Sequence, residues 1–98
     1  MILIIIGRNF VVNQRTRNII DDKLGTGIEN HLQRFSESLR KATIRVEKRA
    51  RWGYEVTFSM WLPGNRHIFA REEGDALFFA LSSLKEKIQR EIAKNISG

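Results

Sequence analysis

Residues 54–62 alternate without a break. Tyr54, Val56, Phe58, Met60 and Leu62 fall in one phase, and Glu55, Thr57, Ser59 and Trp61 in the other. That period of two is a β-strand with one buried and one open face. Such a strand needs paired neighbours and an apolar layer over its buried side. Both are legible around it. Residues 42–48 alternate too, with Ala42, Ile44 and Val46 against Thr43, Arg45 and Glu47. The run Arg49-Ala50-Arg51-Trp52-Gly53 is the turn between the two. Pro63-Gly64-Asn65 is a second turn, with Pro fixing φ and Gly taking a positive φ, and residues 66–71 return as a further strand.

The covering layer is written in residues 70–95, a strand end leading into one long amphipathic helix. Leu77, Leu81, Leu84, Ile88 and Ile92 recur at three- and four-residue steps, one helix face. Lys87, Arg90 and Lys94 share an arc of about 60° on another side, continued toward the N-terminus by Phe79 and Ser83. This stripe fits either a solvated flank or a binding surface. Glu72-Glu73-Gly74-Asp75 is expected at the start of the helix, where carboxylates suit the dipole, and Asn95 to Gly98 as a frayed end.

At the other end of the chain, residues 2–6 (Ile-Leu-Ile-Ile-Ile) form a continuous apolar run. They read as a strand well inside the sheet and covered on one face. Gly7-Arg8-Asn9 breaks or bulges it, and Asn13 is an N-cap candidate. Ile19, Ile20, Leu24, Ile28, Leu32 and Phe35 then hold a helical stripe from about Gln14, weakened or kinked at Gly25 and Gly27. Ser36 to Lys41 reads as the connection. The order strand, helix, three strands, helix predicts an α+β sandwich, a four-stranded sheet with two helices on one face. Ninety-eight residues suit one domain, 1–98.

Composition limits function by exclusion. There is no cysteine, so disulfides and thiolate metal sites are excluded and a reducing, cytoplasmic setting is the simpler expectation. The apolar start is too short for a signal peptide or a membrane span. The histidines are His31 and His67, a set that argues against a transition-metal site. Glu72, Glu73 and Asp75 are explained by their place beside a helix, and Gly25-Thr26-Gly27 is a lone G-x-G. Without a nucleophile–base pair, the chain reads as no enzyme, with no cofactor and no small-molecule substrate. The formal charge of +6 points instead to a polyanion. Arg45, Lys48, Arg49 and Arg51 cluster at the first hairpin beside Trp52, with Trp61 in the open phase of the next strand. Arginine interleaved with exposed aromatics suits stacking on bases, while Trp52 covering the core edge and Trp61 pairing across strands is an equally simple reading.

The whole chain resembles the short bacterial ribosome hibernation-promoting factors, including the ribosome-associated inhibitor called protein Y, a family also labelled sigma-54 modulation protein. The resemblance rests on several matches. The apolar strand ends in Gly7 before Arg8-Asn9. Val12-Asn13 opens a helix carrying Arg17 and Asp21-Asp22-Lys23-Leu24. Val46-Glu47-Lys48, Leu62-Pro63-Gly64 and Phe78-x-Ala80-Leu81 follow. The most specific is K-x-x-R-x-x-x-K at Lys87, Arg90 and Lys94. It implies a β-α-β-β-β-α fold related to the double-stranded RNA-binding domain. It further implies a translation inhibitor that enters the mRNA and tRNA channel of the small ribosomal subunit and contacts its rRNA under stress. On that reading Arg8, Lys23, Lys87, Arg90 and Lys94 are RNA contacts. Arg45, Arg49 and Arg51 are added from the local charge cluster. Alternatives are a regulatory protein–protein module acting on a sigma factor, or a generic domain for structured RNA. If the sequence is complete it corresponds to a short form, and whether it pairs ribosomes with other hibernation factors or keeps them single is left open. The chain departs from the family's pattern in about four extra residues near Gly25-Thr26-Gly27, in Ala76 where Asp is usual, in Phe79 where a small residue is usual, and in the basic, aromatic hairpin.

Overall fold

The computed structural model describes residues 2–25, 28, 41–62 and 64–97. Strand β1 (Ile2–Arg8) leads to helix α1 (Gln14–Ile20), which widens into a π-helical turn over Asp21–Gly25. Strands β2 (Lys41–Lys48), β3 (Tyr54–Leu62) and β4 (Arg66–Gly74) precede helix α2 (Leu77–Ser97). The sheet runs β1-β2-β3-β4, with β1 parallel to β2 and the other pairs antiparallel. This is the expected α+β fold.

The alternation sets the two faces. Ala42, Ile44, Val46, Val56, Phe58, Met60, Leu62, Ile68 and Ala70 are buried on the helix side. Ile20, Leu24 and Ile28 meet them from the first helical segment, and Ala80, Leu81, Leu84, Ile88 and Ile92 from α2, in one core cluster. The caps are local. Asn13 Oδ1 accepts from the Thr16 amide at 2.9 Å and starts α1 as its sequence position suggests. Gly7 is required by close approach, because a Cβ there would stand 2.2 Å from the Phe10 carbonyl oxygen. Asn9 then turns the chain with φ 54°.

Four expectations are corrected. First, β1 is an edge strand, not an inner one: among the described residues it pairs with β2 alone, and Ile2, Ile4 and Ile6 are 51%, 50% and 42% exposed while Leu3 and Ile5 pack on the core. A continuous apolar run usually means burial on both faces; here the second face is left open. Second, Glu72 and Glu73 do not open the last helix. They extend β4, opposite Val56 and Glu55, and the first turn of α2 has no acidic residue. The strand is longer because cations from the hairpin, the strand itself and α2 pair with these carboxylates. Third, α2 is not frayed at Asn95 but continues to Ser97. The Arg66 guanidinium donates to the Asn95 carbonyl, and Asn95 Nδ2 donates to the Glu91 carbonyl at 2.8 Å. Fourth, the helical irregularity begins at Asp21, ahead of Gly25. Thr26, Gly27, His31, Leu32, Phe35, the connection after Ser36 and Pro63 lie outside the described residues. Gly64 and Asn65 both have positive φ, 84° and 60°, as a tight turn requires.

Candidate nucleic-acid interface

Helix α2 starts just past the end of β4 and runs back along it. Its apolar side is committed to the core, so its remaining faces are fixed. Phe79, Ser83, Lys87, Arg90 and Lys94 are all exposed, and they form the predicted stripe. Lys87 reaches the free edge of β4. Its ammonium donates to the Arg71 carbonyl at 3.2 Å and lies 3.7 Å from Glu72 Oε1. Arg90 faces Glu86 one turn back at 3.9 Å, with both side chains largely exposed. Arg66, held to the Asn95 carbonyl, adds a fourth cation where α2 ends. Lys87, Arg90, Lys94 and Arg66 thus line one seam between α2 and β4.

Arg66 was not singled out in the sequence. The available signal was phase: it pairs with Leu62, whose side chain is on the helix side of the sheet. Seeing this needs the register, not composition alone.

The other predicted contacts are not brought to the seam. Lys23 projects from the π-helical turn and stands 3.8 Å over the Phe78 ring, near the first turn of α2. That cation–π contact ties the first helical segment to the second. Arg8 ends β1, the opposite edge of the sheet from the seam. Arg45 is exposed on the open face, in register with Ile6 and Thr57. Arg49 is engaged internally: it donates to Glu55 Oε2 at 2.7 Å and to Glu73, while Arg71 lies 3.0 Å from Glu55 and 3.5 Å from Glu73. The hydrogen bond to Glu55 raises the Arg49 pKa further above its ordinary range, and Glu73 adds to this. Its charge is answered within the chain, so it closes the β2–β3 hairpin onto β4. Arg51 and Trp52 are exposed beside it, and Trp52 retains 68% of its surface. They line a cleft of about 460 Å³ with Glu73, Gly74 and Asp75. Trp52 therefore does not cover the core edge. Trp61 does pair across strands, stacked on His67, yet it stays 60% exposed.

Among the described residues no cluster of three His, Asp or Glu side chains could hold a metal ion. Among them no helix is long and apolar enough to cross a membrane.

What fold and seam define is an α+β sandwich with a cationic edge. The chain belongs to the family described as sigma 54 modulation protein / S30EA ribosomal protein, which matches residues 3–97. The resemblance read in the sequence is borne out at that level. The fold is similar to that of a ribosomal subunit interface protein from Coxiella burnetii, with a TM-score of 0.75 at 18% identity over 100% of both chains. It is also similar to the N-terminal domain of Thermus thermophilus protein Y, with a TM-score of 0.78 at 19% identity over 97% of this chain and 99% of that one. No curated protein sequence matches significantly.

Proposed function

We propose that this protein is a ribosome-associated hibernation factor that inhibits translation in the cytoplasm by binding small-subunit rRNA in the mRNA and tRNA channel. The observation that carries this reading is the seam of Lys87, Arg90 and Lys94 on a rigid helix, with Arg66 beside them at the start of β4, in a chain of this family. A helix of about 1.5 Å rise per residue presents the charges of Lys87, Arg90 and Lys94 at fixed intervals. It can follow the phosphates of a folded RNA by shape, without reading bases. Lys23 and Arg51 are secondary contacts, while Arg8 and Arg45 belong to other faces and reach the RNA held at the seam only if it wraps the domain. Arg49 acts by holding the hairpin. No step of catalysis is involved.

The test is cosedimentation with small subunits across a salt series. Binding is expected to weaken steeply with salt. The variant Lys87→Ala/Arg90→Ala/Lys94→Ala is expected to reduce the slope of log K against log salt by about three units, roughly one for each lost phosphate contact. Unchanged association in that variant would overturn the seam reading. Binding to a sigma factor and not to ribosomes would favour the regulatory alternative, and equal affinity for any duplex RNA the generic one.

A further inference from the structure

The seam leaves the open face of the sheet unused, and that face carries an apolar surface a small basic domain does not need for solubility. Ile2, Ile4 and Ile6 stand along β1, with Trp61 on β3 and Phe69 on β4. Between Ile4 and Trp61 lies an open groove of about 420 Å³. The register places Thr43 between Ile4 and Ser59, so two hydroxyl-bearing residues line it between the apolar walls. Lys41 also lines it. Trp61 is fixed by stacking on His67, with ring centroids 4.4 Å apart and planes 21° from parallel. His67 Nε2 in turn lies 2.7 Å from Ser59 Oγ, and Phe69 is 6.1 Å beyond the imidazole.

We infer that this groove is a site for an unpaired nucleotide, and the sheet face a second RNA contact that takes single strands. A flat aromatic wall offers stacking to any base. The Thr43 and Ser59 hydroxyls donate or accept, which suits the mixed edge of a nucleobase. Lys41 supplies the charge for a phosphate, and Arg45, four residues along the strand on the same face, supplies the next. Among the described residues no carboxylate lines the groove. The carboxylates of this face, Glu47, Glu55 and Glu73, sit in register with one another toward the other end of the strands, and Arg49 and Arg71 engage Glu55 and Glu73. That separation favours an anionic ring compound over an apolar protein segment. The site is independent of the seam, which lies on the helix side, so either can fail without the other.

The test follows Trp61 fluorescence in a Trp52→Phe background while short single-stranded uridine or adenosine oligoribonucleotides are added. Quenching is expected. Read by the anisotropy of a fluorescein-labelled oligonucleotide, Trp61→Ala, and separately Lys41→Glu, should each weaken binding about tenfold, the effect of one lost stack or phosphate contact. The Lys87/Arg90/Lys94 alanine variant should keep the quenching. Circular dichroism of each variant checks that the fold persists. Three results would overturn the site: no quenching by any oligonucleotide, equal affinity in Trp61→Ala, or quenching abolished by the seam variant. A concentration-dependent dimer in sedimentation that Trp61→Ala dissolves would also overturn it and assign the groove to a second copy.

Discussion

Gly7 and Asn13 show how much a single position decides where backbone geometry is at stake. A side chain at Gly7 would meet the Phe10 carbonyl oxygen, which is main chain and cannot rotate aside. Gly7→Ala is therefore expected to destabilise the fold by about 2 kcal/mol or more, read as a shift of the urea midpoint. Asn13→Ala removes one cap bond to Thr16 and should cost about 1 kcal/mol by the same measurement. Asn13 was legible in the sequence because capping is decided within four residues. Arg66 and the internal engagement of Arg49 were not legible, because their partners, Asn95 and Glu73, are distant in the chain. Charge counting treats Arg49 and Arg51 alike, while the fold gives carboxylates to one of them.

At the level of elements, β1 and α2 carry the instructive cases. A run of five apolar residues does not say which face of a strand is covered, and the structure decides it by placing β1 at the edge. The assignment is testable by a pair of substitutions one face apart. Ile2→Lys should change stability by less than about 0.5 kcal/mol and raise solubility, whereas Ile5→Lys, which forces a charge toward the core, should cost several kcal/mol, about 2 or more. Equal effects in urea melts would contradict the facing described. For α2, the Arg66 bond to Asn95 predicts that Arg66→Ala speeds amide exchange in the last helical turn and leaves the Leu81–Ile88 region unchanged. The carboxylates Glu72 and Glu73 were misplaced because an acidic pair before a helix and an acidic pair ending a strand look the same in one dimension. The cross-strand partners Glu55 and Val56 make the difference.

For the whole molecule, the fold class was readable because strand alternation, helix periodicity and turn residues agree with one another. The candidate site was readable in part. The basic spacing on α2 survives into the structure, but the remaining predicted cations are distributed over the π-helical turn, the open face, the hairpin and the far edge. The molecule thus has sides: a cationic seam along β4 and an aromatic, hydroxyl-lined sheet face. A salt series with whole ribosomes reports on the first, and tryptophan quenching by short single strands reports on the second.

The two edges of the sheet differ in a way that limits how this protein can assemble. Along β4 one carbonyl is taken by the Lys87 ammonium, and Arg71, Glu72 and Glu73 charge the strand. Among the described residues β1 pairs on one side only, and its single charge is Arg8 at its end. Among the described residues, lateral growth of the sheet therefore has one open direction. Two molecules joined through it would leave only charged edges outside, so such pairing ends at a closed pair and never propagates into a filament.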